Sequence, residues 1–220
     1  MKVLAMTTDG KLTYCTASPE NRGKGRCNHV GHQKENETAD EFVKRISKDL
    51  IEKASSNEKD EILNLDASEK FEMIKTHENL DILINDEDWE IREAVAKQGY
   101  GLNKLVNDKD SDIRAVVAEQ GYGLGELIND KSNVVREAVA KQGYGLDKLI
   151  DDEDYDVRVA VAEHGYGLDK LVNDENWIVR RAVAEQGYGL DKLVDDEYLY
   201  IRAEVAKHGY GLDKLVDDGP

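Results

Sequence analysis

Long apolar runs are missing from this chain. None approaches the ~18 residues a membrane-crossing helix needs, so no span is expected. The opening residues, Met1 to Thr7, hold too short an apolar stretch for the hydrophobic region of a secretory leader. Cysteine is scarce, with two in 220 residues. With no leader expected, that scarcity places Cys15 and Cys27 in a reducing, cytoplasmic setting. Basic charge is also short: 30 Lys+Arg stand against 47 Asp+Glu, for a net charge of −17. The deficit is uneven, because residues 1–50 hold nine basic and seven acidic residues while the remainder holds 21 and 40. So acidic a remainder repels phosphate backbones, which argues against direct nucleic-acid binding there. It suits a basic partner, or simply keeps a long surface soluble.

What the chain has in abundance is repetition. Gly-Tyr-Gly-Leu begins at Gly99, Gly121, Gly143, Gly165, Gly187 and Gly209, a constant step of 22 residues. Arg92, Arg114, Arg136, Arg158, Arg180 and Arg202 keep that step, as do Asp86, Asp108, Asp130, Asp152, Asp174 and Asp196, six residues earlier. A fixed period in the twenties is the sequence mark of a solenoid. Within one unit, Val157, Ala160 and Val161 follow helical spacing and should face inward on a helix of about Glu153 to Glu163. Gly165 suits the left-handed residue that ends such a helix. Leu168, Leu171 and Val172 predict a second helix of about two turns, partly 3₁₀. The expected fold is therefore a mostly α, right-handed α-solenoid of two-helix repeats, carrying a small α+β head. Residues 1–57 form the head and 58–220 the array, with a worn first repeat at about 58–79 and regular repeats over 80–218. In the worn repeat Lys70 occupies the arginine slot.

Each aspartate precedes a helix, where its carboxylate can cap amides and meet the positive end of the dipole. Each arginine can pair with its own repeat's aspartate or with the next one. Six equal copies predict a ladder that fixes stacking register rather than a catalytic or phosphate-binding set. The Asp-x5-Arg pattern with Val or Ile before the arginine, followed by alanine-rich Ala-Val-Ala, resembles HEAT-like repeats. The brevity of the unit makes it look more like the leucine-rich repeat variant, which alternates α and 3₁₀ helices. That resemblance covers about residues 64–218 and implies a protein-binding scaffold. Some leucine-rich repeat variant proteins carry an N-terminal iron–sulfur unit with four cysteines; with two, this chain does not support that carry-over.

Differences among the copies point to a working face. Three slots vary, starting at Trp89, Glu90 and Glu93 in the first regular repeat, and all are expected on the outward part of the first helix. Aromatic, bulky and cationic residues gather there: Trp89, Tyr155, Trp177, Ile178, Arg181, Tyr198, Leu199 and Tyr200. Exposed aromatics with an arginine have the composition of a protein-binding hot spot. The competing expectation is that the tryptophans tuck against adjacent helices. Tyr100 and its five equivalents form a further ladder along the turns, read as structural. The sequence ends where another first helix would begin, so either the last repeat's apolar side is open, to meet a partner or a second copy, or the natural chain is longer.

In the head, Lys2 to Met6 and Lys11 to Cys15 read as strands joined by an Asp9-Gly10 hairpin turn. Thr38 to Glu41 reads as a capping box opening a helix that ends near Ala54, with Ser55 to Asn57 as a joint. Cys15, Cys27, His29 and His32 supply two thiolates and two imidazoles, the ligand types of a tetrahedral structural zinc. A metal there would staple a unit too small to bury much core. The spacing is not that of a standard finger. A buried structural thiol with surface histidines, a Cys/His nucleophile pair and a disulfide remain open readings. Arg22, Lys24 and Arg26 in a Gly-containing loop can cradle an anion, or form plain surface. Three functions follow. The first is a non-enzymatic interaction scaffold. The second is an acidic inhibitor or DNA mimic of phage or mobile-element type, acting on a nucleic-acid enzyme. The third is a Cys/His enzyme in the head.

Overall fold

A computed structural model of the chain describes residues 3–7, 12–15 and 29–212. It forms two compact units, Met1–Leu65 and Asp66–Pro220. The boundary falls later than the expected joint at 55–57, because the head helix does not stop there. Helix α1 runs Ala39–Leu63 without interruption. Ser55, Ser56 and Asn57 are mediocre helix formers but cost only a few tenths of a kcal/mol each, too little to break a helix lacking Gly or Pro. Its start is as expected: Thr38 accepts from the Glu41 N–H at 3.2 Å while the Glu41 carboxylate takes the Thr38 N–H at 2.9 Å.

The first unit has three strands, β1 (Val3–Thr7), β2 (Leu12–Cys15) and β3 (His29–His32). Their order is β2-β1-β3, with both pairings antiparallel. Read from the sequence, His29–His32 belongs to the loop between hairpin and helix; pairing with β1 makes it a strand. The Asp9-Gly10 turn lies outside the described residues. Met6, Phe42 and Ile46 form the core of this unit, with Val43 packed against it. Gly31, paired with Met6, is where β3 meets the helix. A Cβ there would lie 2.2 Å from Ile46 Cδ1, so only glycine permits that approach.

The second unit is a helical-repeat array. Helices α2 (Ala67–Thr76), α4 (Trp89–Lys97), α6 (Ser111–Glu119), α8 (Asn133–Lys141), α10 (Tyr155–Glu163), α12 (Trp177–Glu185) and α14 (Leu199–Lys207) stack in sequence, each on the next. Between them lie one-turn helices: α3 (Leu80–Leu83), α5 (Leu102–Leu105), α7 (Leu124–Leu127), α9 (Leu146–Leu149), α11 (Leu168–Leu171) and α13 (Leu190–Leu193). Val157, Val161 and their equivalents are fully buried, and the last leucine of each short helix is 0–3% exposed. Neither helix can bury its apolar side within one repeat; the neighbouring repeat covers it.

The short helices have one turn rather than two. In α5 the turn opens with both i→i−3 and i→i−4 bonds to Gly101, and closes with i→i−3 bonds from Asn107 and Asp108. The 3₁₀ character expected therefore sits at the ends. The first helices end in a Schellman arrangement: Gly99 N–H reaches the Ala96 carbonyl at 2.8 Å and Tyr100 N–H the Val95 carbonyl at 3.4 Å. The worn repeat begins at Asp66 rather than near 58. It reaches the same turn without glycine, because His77 (φ 61°) and Asn79 (φ 54°) take the left-handed positions that Gly99 and Gly101 hold one repeat later.

Candidate interaction face and metal centre

The arginine ladder comes first, because it shows which repeated residues are already committed to structure. Five guanidiniums, from Arg92 to Arg180, each fork onto the aspartate sixteen residues ahead, in the following repeat. Arg136 Nε and a terminal nitrogen donate to Asp152 at 2.7 and 2.8 Å. Arg92–Asp108, Arg114–Asp130, Arg158–Asp174 and Arg180–Asp196 repeat this fork. The other terminal nitrogen donates backward to the carbonyl of its own repeat's aspartate, at 2.9 Å from Arg136 to Asp130. Thus the first helix is tied to its own loop and to the next repeat by one side chain. Lys70 Nζ sits 2.8 Å from Asp86, so the worn repeat keeps a one-pronged version.

The ladder aspartates are not the helix caps. Asp152 Oδ1 accepts the Asp154 N–H at 3.0 Å, and Asp154 in turn caps α10 by accepting from the Asp156 N–H. For Asp130 the Arg114 bond lowers the carboxyl below its ordinary range. For Asp108, Asp152 and Asp196 burial pushes upward, but the arginine fork and the backbone N–H outweigh it, and the net shift is down. The arginines shift up, chiefly through the same bonds to Asp108, Asp130, Asp152, Asp174 and Asp196. Arg202 donates to the carbonyls of Asp196 and Glu197. The five forked pairs are spent on stacking and carry no free chemistry.

The variable slots behave differently. Trp89, Tyr155, Tyr198, Leu199 and Tyr200 are exposed, and Trp177 and Ile178 are half-buried. Tyr200 is 70% exposed. Three of these residues come together across the α12–α14 junction. The Trp177 and Tyr198 rings stack at 5.5 Å with 16° between planes, and Trp177 lies 6.0 Å from Tyr200 at 30°. Tyr198 also receives the Arg180 guanidinium, 5.7 Å from its ring centre. Arg181 is held by Glu185 at 2.9 Å. Among the described residues no ring contact joins Trp89 or Tyr155 to this group. The slot after the arginine is not uniformly outward, since Ala115 is 5% exposed. His164, standing where other repeats have glutamine, has Nε2 2.9 Å from the Lys141 carbonyl of the previous repeat.

In the first unit Cys15, His29 and His32 come together, with one donor atom from each within 4.8 Å of the others. The sheet register explains this. Cys15 pairs with Val3, His32 with Ala5 and His29 with Thr7, three alternate positions that share one face of β1. Residues 29 and 32 of a regular strand would point to opposite faces. A register irregularity between Met6 and Thr7 restores them to the same side. Arg45 helps hold β3, donating to the His32 carbonyl at 3.0 Å and to Glu37 at 2.7 Å. That Arg45 bond holds the Glu37 carboxyl down at about 2. Cys15 is a free, buried thiol, and His29 Nδ1 is buried with no hydrogen-bond partner. An orphaned imidazole nitrogen beside a buried sulfur is an uncompensated cost unless something fills the gap. A cation with nitrogen and sulfur ligands would do so. Tetrahedral zinc sets its donors about 3.3–3.8 Å apart, which a group gathered within 4.8 Å can approach. Cys27, expected as the fourth ligand, and Arg22, Lys24 and Arg26 lie outside the described residues.

The molecule is thus a helical-repeat array with a small sheet-and-helix unit that presents a group able to hold a metal. No helix among the described residues is long and apolar enough to cross a membrane. Comparison with protein-family models, curated proteins and solved structures returned no match.

Proposed function

We propose that this chain is a non-enzymatic, cytoplasmic interaction scaffold, akin to HEAT-like and leucine-rich repeat variant arrays. It binds a protein partner through the variable face of its last repeats. One observation carries the reading: Trp177, Tyr198 and Tyr200 form a solvent-facing stack on a framework whose repeated charged groups are already paired. Large rigid aromatics lose little side-chain freedom on docking and bury much area, which is why they dominate binding hot spots. In a pull-down from the source organism with the whole chain as bait, Trp177→Ala and Tyr200→Ala should each lose the bound partner while helix content stays unchanged. Capture of the same proteins by both variants would end this reading.

The first unit is read as held by one structural zinc on Cys15, His29 and His32. The buried thiol and the orphaned His29 nitrogen support this. Bound there, zinc would tie β2 to β3 across β1. Protein prepared in zinc-containing medium should carry one zinc per chain, and Cys15→Ser should lose it and lower the melting temperature of the first unit. Retention of the metal by Cys15→Ser would remove the site.

A further inference from the structure

The interaction reading leaves the chemistry of the partner open, and the surroundings of the aromatic stack narrow it. Residues 151–212 carry fifteen acidic and seven basic residues, a more one-sided balance than the fourteen and nine of residues 80–150. The cations next to the stack are already consumed. Arg180 is forked onto Asp196 and lies 3.7 Å from Glu197, and Arg181 is paired with Glu185. Two carboxylates stay open to solvent with only long arginine contacts, Glu197 to Arg180 at 3.7 Å and Glu175 to Arg158 at 3.9 Å. The Glu197 side chain is 78% exposed one residue before Tyr198, and Glu175 is 92% exposed two residues before Trp177. The same slot holds Glu87, Lys109, Lys131 and Glu153 in the earlier repeats, so the last three copies form the acidic run.

Resting on that interaction reading, we propose that the Trp177–Tyr198–Tyr200 face docks a basic segment of a partner protein. Its Lys or Arg side chains lie on the exposed Tyr200 ring and against Glu175 and Glu197. An aromatic face attracts a cation through its quadrupole, and the attraction strengthens as water leaves. Carboxylates beside the rings add a second attraction of the same sign, and the net negative field raises the encounter rate. An apolar partner helix would use the rings but gain nothing from that edge. A nucleic acid would be repelled by it.

The test uses the full chain carrying Trp89→Phe, so that Trp177 is the only tryptophan reporter. Its fluorescence is titrated with a synthetic peptide of alternating arginine and glycine, and with a matched peptide holding glutamine for arginine. The arginine peptide should give a saturable change that the glutamine peptide does not. Tyr200→Ala should weaken binding about fivefold, the scale of one exposed cation–π contact. Glu197→Lys should weaken it as well, and Tyr122→Ala, on the distant turn ladder, should not. Equal responses to the two peptides, or arginine-peptide binding that ignores Tyr200→Ala, overturn the proposal. A partner captured from the source organism that depends on Tyr200 but survives both high salt and excess arginine peptide also overturns it, while leaving the interaction reading intact. If capture ignores Tyr200 altogether, the interaction reading falls with it.

Discussion

Replacing Arg136 by methionine removes one guanidinium from the middle of the array and should uncouple its two halves. The substitution keeps an apolar stem of similar length, so packing loss is small. Three bonds disappear: the 2.7 and 2.8 Å pair to Asp152 and the 2.9 Å bond to the Asp130 carbonyl. Asp152, its side chain 8% exposed, is left with the Asp154 N–H alone. Breaking a buried pair by removing one partner costs about 3–5 kcal/mol. The groove of about 640 Å³ that Arg136 and Asp152 line admits water, which places the expected loss at about 3 kcal/mol. Asp152→Asn in the same background should recover part of it, since the uncompensated charge is then gone. In urea unfolding followed by circular dichroism, Arg136→Met should lower the midpoint and broaden or split the transition. In an array held by nearest-neighbour contacts, a weakened central interface lets the halves melt separately. Arg181→Met, which breaks the exposed Arg181–Glu185 pair, is the control at about 0.5 kcal/mol. If Arg136→Met costs no more than that control, or Asp152→Asn adds its full cost on top, the ladder does not fix the stacking.

Acid should dissolve the same ladder. The folded carboxyls of Asp108, Asp130, Asp152 and Asp196 lie below their ordinary value, so the unfolded chain binds protons more readily than the folded one. Their contribution is complete above the ordinary aspartate range near ~3.9 and is lost as pH falls through the lower folded values. Melting temperature measured from pH 7 to pH 2 should therefore hold on the neutral side and drop steeply on the acid side; a flat profile across pH 4 to 2 would contradict the sign. The paired glycines of one turn should also differ. Both are left-handed, but alanine at Gly165 (φ +71°) meets nothing within 4 Å, whereas at Gly167 (φ +61°) it would sit 2.0 Å from Ile150 Cδ1. Gly165→Ala should cost about 1 kcal/mol and Gly167→Ala roughly 1 kcal/mol more, read by thermal melts. Equal costs would mean that Ile150 moves aside freely.

Much of the array was legible because periodicity is local and repeated. The 22-residue step, inward valines and terminating glycines each follow from short-range backbone and side-chain geometry. What lies between repeats was not. Arg158 has aspartates both six behind and sixteen ahead, and only stacking decides that the carboxylate comes from ahead while the carbonyl comes from behind. His77 and Asn79 adopt the same left-handed turn, although neither is the expected glycine.

The cysteine and histidines stood out by residue type, but chain spacing alone places His29 and His32 on opposite faces of a strand. One bulge against β1 reverses that, and a bulge depends on pairing with a distant segment. The aromatic stack follows the same rule. Sequence alone established that Trp177 and Tyr200 occupy variable slots, since identical copies make any departure visible. Only the packing of α14 on α12 decided that their rings meet at the surface, because the distance between residues in neighbouring repeats is set by helix contact and not by chain length.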